Sequence, residues 1–347
     1  MQQKYNSVWG MAGAYIAFVI GSGFASGQEI IQFYATYGIK GLGAIAVSAA
    51  LLAWVGGSIM ATGYRMRQSL PDQPYRLFCG KILGTIYEWL TSIYLFGALV
   101  VMLSGAGAAL QEYYGLPHLW GSLLMTILVF VTYVGGFRRL ADIVSHIGPV
   151  IIAFALAISI GTILRTGIHF NTALTAQQAA PNWWSSGILY AAYNVFGSIP
   201  FLMALGSGAS SRKNASAGGV IGGLVLMGTV LCMDLALLNG GDMRYTVPTL
   251  QLAHELAPWM GMLYSLVLLC GIYSTAAPML WTVCGNVMGQ KNGRSLAAVL
   301  SAAALALAQM PFDRLVALIY PCTGYMGVLL LVCLAIWRVR EKKERQP

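Results

Sequence analysis

Residues 17–30 read AFVIGSGFASGQEI, and three glycines with two serines fall within the seven residues 21–27. Apolar residues on either side extend this stretch over 7–37, longer than the roughly 20 residues that cross a bilayer. Glycine costs about 1 kcal/mol relative to alanine inside a helix, and its open backbone favours an irregular turn. The stretch therefore predicts a membrane helix broken near its middle. Backbone groups left open in hydrocarbon cost several kcal/mol each, so such a break persists only where protein, water or a ligand satisfies them. Gly23 and Gly27 also form a GxxxG pair, which in other helices marks only close packing.

The rest of the chain has the same solvent. Of its 347 residues 58% are hydrophobic and 9% charged, and the mean hydropathy is +0.70. A soluble domain carries roughly 25% charged residues. Apolar segments at 7–37, 41–64, 84–112, 118–137, 143–164, 184–207, 215–239, 259–287, 295–310 and 315–337 make ten candidate spans, the ninth short and alanine-rich. With the N-terminus cytoplasmic, sixteen Lys and Arg residues fall inside and only Lys40, Arg165, Arg244 and Arg314 outside. That is the positive-inside pattern, and it puts both chain ends in the cytoplasm. Lys4 followed by an apolar run could pass for a signal peptide, but the alternation works with that run kept as span 1. The net charge of +9 reflects loop anchors and the basic tail 338–347, which suits anionic headgroups; nucleic-acid binding is not expected. The six cysteines show neither metal-ligand spacing nor a disulfide framework.

The polar stretch 166–183 divides the chain into five spans at 1–165 and five at 184–337. An odd number of spans per half inverts the second half relative to the first, the plan of inverted-repeat transporters. Span 6 reads AYNVFGSIPF over 192–201. Pro200 lacks the helical N–H and clashes with the carbonyl of Phe196, so a second break is expected near 195–198. Breaks in the first span of both halves point to one central binding site.

A half-helix N-terminus presents N–H groups suited to an anion, and a half-helix C-terminus presents carbonyls suited to a hard cation. Gly21, Ser22 and Gly23 could thus hold a substrate carboxylate, while Ala17 and Ile20 could offer carbonyls to sodium. Tyr193, Asn194, Phe196, Gly197 and Ser198 of span 6 would complete the substrate pocket. The run GSGFASGQEIIQFYATYG resembles span 1 of the bacterial putative amino-acid permease family, and its Gly-Ser-Gly turn resembles that of the amino acid–polyamine–organocation superfamily. The resemblance implies an all-α LeuT-type fold of about ten helices in a five-plus-five inverted repeat, with spans 1 and 6 discontinuous. It also implies an outer cap between spans 7 and 8, near 246–257. Sodium-coupled members place two hydroxyl residues on span 8 beside span 1, which carries Gly271, Ser274 and Thr275 into the expected sodium shell. Phe24 stands where some symporters carry an asparagine for a further sodium, so a single sodium is implied. Bonding of both hydroxyls to their own helix is the alternative.

Glu29, just past the turn, could bind a substrate amine, carry a proton, or line a polar vestibule. Asp234 carries the same readings, and His146 is the proton-coupling alternative to sodium. Glu88, Asp142 and Glu112 near helix ends are expected to pair with loop arginines or face water. A channel would show a repeated pore motif or charge rings. An intramembrane hydrolase would need a histidine near Ser22 or Ser26, and no such arrangement occurs. The expectation is a non-enzymatic sodium-coupled symporter of an amino acid or related small zwitterion, needing no cofactor, in a bacterial cytoplasmic membrane.

Overall fold

The computed structural model describes residues 7–71, 73–135, 137–168, 176–240, 245–288 and 293–343, apart from the side chains of 137–148, 285–288 and 342. The side chains of Asp142 and His146 lie outside the described set, as does Arg244. Every regular element among the described residues is helical.

Span 1 is three short helices: α1 (Val8–Val19), α2 (Ser22–Ser26) and α3 (Gln28–Phe33), followed by a 3-10 turn at Ala35–Tyr37. Ile20 and Gly21 between α1 and α2 are extended. Gly27 between α2 and α3 has φ 87°, a conformation open to glycine. The break expected at the Gly-Ser-Gly run is present, and a second follows six residues later. Spans 2 to 5 are α4 (Lys40–Arg65), α5 (Pro74–Tyr114, kinked at Gly80), α6 (His118–Gly135) and α7 (Phe137–Thr166). Spans 6 and 7 are α8 (Trp183–Ser207) and α9 (Arg212–Gly240). The stretch where a cap is expected holds α10 (Pro248–Leu256), and spans 8 to 10 are α11 (Pro258–Met288), α12 (Gly293–Leu307) and α13 (Phe312–Lys343). Eight of these helices are long and apolar enough to cross a membrane alone; the interrupted span 1 and the 15-residue α12 are the others.

Span 6 departs from its expectation, since α8 winds without interruption through 195–198 and Pro200. The proline leaves the Phe196 carbonyl without its usual N–H, and the Tyr75 hydroxyl donates to that carbonyl at 2.5 Å. One donor from α5 removes the need to unwind. In the tail, the first six residues continue α13, and Glu341 joins Arg338 at 2.8 Å and Arg65 of α4.

The helices pack in two groups. Spans 1, 2, 6 and 7 form one, with α4 lying along both α8 and α9 and α1 along α9. Spans 3, 4, 8 and 9 form the other, through α5, α6, α11 and α12. Each group takes the same two positions from each half, as a five-plus-five repeat requires. Within the first group a side chain on Gly219 would collide with the Gly56 backbone, so α4 and α9 meet main chain to main chain. Large apolar side chains such as Ile93, Trp120, Leu164 and Leu266 are exposed on the outside, as a lipid-facing surface demands.

Candidate functional site

The two groups enclose a cavity of about 580 Å³ beside the break in span 1. Span 1 supplies Ala17, Gly21 and Glu29; α8 supplies Tyr193, Asn194, Gly197 and Pro200. From α11 come Ser274, Thr275 and Pro278. The cavity runs from the break toward the face carrying both chain ends, where Leu70, Pro71 and Pro74 line its mouth.

The opposite end is closed. The Tyr193 hydroxyl donates to Glu29, and behind this pair Phe33, Tyr190 and Tyr34 are fully buried and packed ring to ring. Side chains stitch α3 to its surroundings: Gln28 donates to the Thr246 carbonyl at 3.0 Å, Gln32 to the Asp313 carbonyl at 3.1 Å, and Ser186 to the Phe33 carbonyl at 2.7 Å.

At the break itself the residues meet as follows. Thr275 Oγ1 donates to the Ile20 carbonyl at 3.3 Å, across the gap between α11 and the end of α1, and lies 3.1 Å from the Gly271 carbonyl. Ser274 Oγ donates to the same Gly271 carbonyl at 2.8 Å. Ile20, Gly271, Ser274 and Thr275 thus share one locus, with Ala17 on the adjoining cavity wall. These are oxygen donors only, a set that suits a hard cation. Both hydroxyls also bond within their own helix, the arrangement that needs no ion.

The expected substrate-carboxylate locus is filled by the chain itself. A side chain on Gly23 would collide with the Glu29 carboxyl. That carboxyl accepts from Tyr193 and from the Phe24 main-chain N–H. The Ser22 N–H points at the thioether sulfur of Met102, 3.4 Å away. Gly23 and Ser22 are therefore behind the cavity wall. Two span-6 residues are also misplaced by the sequence reading: Phe196 is fully buried against Tyr75, Tyr87 and Tyr94, and buried Ser198 bonds to Val195 of its own helix at 3.3 Å. Asn194 lines the cavity but spends one amide N–H on the Tyr190 carbonyl at 2.9 Å.

Sequence reasoning missed the contributions of α5 and α13. Thr91, Tyr94, Ala98 and Met102 line the cavity at spacings of 3 and 4, one face of a helix, and Tyr320 of α13 stacks on Tyr193 with centroids 4.9 Å apart. The periodic face was visible, but nothing local said which way it turned.

Of the carboxylates expected to pair with loop arginines or face water, Glu112 differs from expectation. Glu112 accepts from the Thr246 N–H at 2.6 Å and the Val247 N–H at 3.1 Å, so it holds the start of α10 instead of an arginine. Glu88 lies at the cavity mouth and accepts from the Tyr75 N–H at 3.3 Å. Asp234 on α9 is fully buried, and neither carboxyl oxygen has a partner among the described residues.

Comparison with known proteins agrees with this architecture. No family model matches the chain. It is 25% identical to an uncharacterised membrane protein of Bacillus subtilis (strain 168), YkvI, over 95% of this chain and 96% of that one. It is 27% identical to the uncharacterised YyaD of the same organism, over 93% and 95%. Among solved structures it resembles MhsT in complex with L-phenylalanine, at a TM-score of 0.64 and 14% identity over 94% of this chain and 88% of that one. It likewise resembles a manganese transporter of Eremococcus coleocola (TM-score 0.62, 12%, covering 95% and 77%) and inward-facing Mhp1 (TM-score 0.58, 15%, covering 93% and 74%). The chain is a multi-pass membrane protein with the LeuT-type fold of these transporters, and its sequence relatives are YkvI-like membrane proteins.

Proposed function

We propose that the protein is a secondary active transporter that moves a small amine-bearing solute by alternating access, with sodium as the coupling ion. The observation that carries this reading is the junction of Thr275 with the Ile20 carbonyl beside a large, one-sided cavity. An ion held there by Ala17, Ile20, Gly271, Ser274 and Thr275 would tie the broken span 1 of one helix group to α11 of the other. Its binding energy would then depend on how the two groups stand to each other, which is what coupling requires. In this reading the face carrying the chain ends is cytoplasmic, as the charge pattern indicates, the cavity is open inward, and the membrane is the bacterial cytoplasmic one.

Proton coupling is the second reading, favoured by Glu29 and Asp234. Both are buried carboxyls, and no basic side chain forms an ion pair with either among the described residues. Thermal unfolding of the purified protein separates the two. Sodium chloride should raise the midpoint saturably over equimolar potassium chloride, and Ser274→Ala combined with Thr275→Ala should abolish the difference. A sodium effect unchanged in the double variant removes the ion from this locus.

A further inference from the structure

The cavity is chemically one-sided. Its described lining includes two carboxyl residues, Glu29 and Glu88, and no Lys, Arg or His. Glu88 stands at the mouth with Arg76 as a charged neighbour. Glu29 lies at the closed end, 2% exposed, with no ion-pair partner among the described residues. A carboxylate offers about four acceptor positions, and two of Glu29's are taken by Tyr193 and the Phe24 N–H. Glu29 itself is one of the residues that line the cavity.

The walls reinforce the acid. Tyr75, Tyr94, Tyr193 and Tyr320 line the cavity, and Phe18 stacks on Phe201 with centroids 4.3 Å apart nearer the mouth. Aromatic faces carry negative quadrupole potential, and several around one buried acid make the environment that recognises ammonium and guanidinium groups. A solute carboxylate has no such welcome. The position at the Gly23 turn where it would sit is occupied by Glu29, and no basic lining residue is available to replace that position. A carboxylate there would compete with the Glu29 carboxyl for the same donors in a medium of low dielectric, with no basic side chain in the described lining to offset its lost hydration.

We infer that the site selects organic solutes of net positive charge, amines or ammonium compounds without a carboxylate, and that Glu29, held by Tyr193, anchors the cationic head. This rests on the transport reading and narrows its substrate from an amine-bearing solute to one of net positive charge.

The test reads the site's charge preference without needing the solute. In a variant whose six native cysteines are replaced by alanine or serine, Leu95→Cys places one thiol on the cavity wall. Its modification rate is measured with a trimethylammonium-ethyl and a sulfonatoethyl methanethiosulfonate, each divided by that reagent's rate with 2-mercaptoethanol. The corrected ratio should favour the cation by roughly tenfold and fall most of the way to unity in Glu29→Gln. A ratio at or below one overturns the inference, as does a thiol that neither reagent reaches. A ratio that Glu29→Gln leaves intact overturns the role of Glu29. Should that variant fail to fold, the parent ratio still decides the charge preference. No step of the assay requires transport, so failure of uptake driven by either a sodium or a proton gradient would remove the transporter reading and leave this result standing.

Discussion

Pro200 and Tyr75 show how one residue's defect becomes another's function. A proline in mid-helix strands a carbonyl, and in lipid that carbonyl has no water to turn to. The Tyr75 hydroxyl reaches it from 121 residues away, so α8 stays whole where an unwound segment was expected. Tyr75→Phe should therefore lower the unfolding midpoint in detergent by the equivalent of about 1–3 kcal/mol, the cost of a buried acceptor left open. In a Pro200→Ala background the helix regains its own N–H, and the same substitution should cost little; an equal cost in both backgrounds would refute the pairing. Pro200 announces its defect in the sequence, whereas nothing near it announces the remedy. Glu29 has the same history. Its ionisable group at membrane depth is legible, but its place over Gly23 depends on the left-handed turn at Gly27 between α2 and α3.

Elements inherit these local facts. α1 ends at Val19 and α2 begins at Ser22, where the glycines and serines of 21–27 predict the break, because the penalty for helix there is intrinsic to the residues. The cap helix α10 is also legible, bounded by Pro248 and Pro258. Its attachment is not: Glu112, read as an arginine partner or a water-facing group, instead accepts the Thr246 and Val247 N–H groups ahead of α10. A charged acceptor on two N–H donors is stronger than a neutral pair. Glu112→Ala should accelerate amide hydrogen exchange over 245–257 by about tenfold or more, the loss of at least 1.4 kcal/mol of local stability. Exchange in α4, on the far side of the bundle, should not change. Protection in α10 that survives the substitution would show the cap to be held by packing alone.

At the scale of the molecule, two helix groups meet at a broken span with a cavity open on one side only. A cation bound between Ile20 and Thr275 would draw the groups together and disfavour the open cavity. A cysteine at Ala204, on the cavity wall, should then react with membrane-impermeant thiol reagents only from the face carrying the chain ends, and more slowly in sodium than in potassium chloride. Reaction from the opposite face, or no sodium effect, would count against the arrangement. The sequence by itself determined the solvent, the ten crossings, the inversion between halves and the break in span 1. Those follow from hydropathy, charge alternation and glycine's backbone freedom, all properties of short stretches. The tertiary structure alone decided that span 6 stays wound, that α5 and α13 wall the cavity, and that the Glu29 carboxyl lies against Gly23, where a solute carboxylate was expected. Each of those is a meeting of side chains far apart in the chain, and local patterns cannot say which faces will turn toward one another.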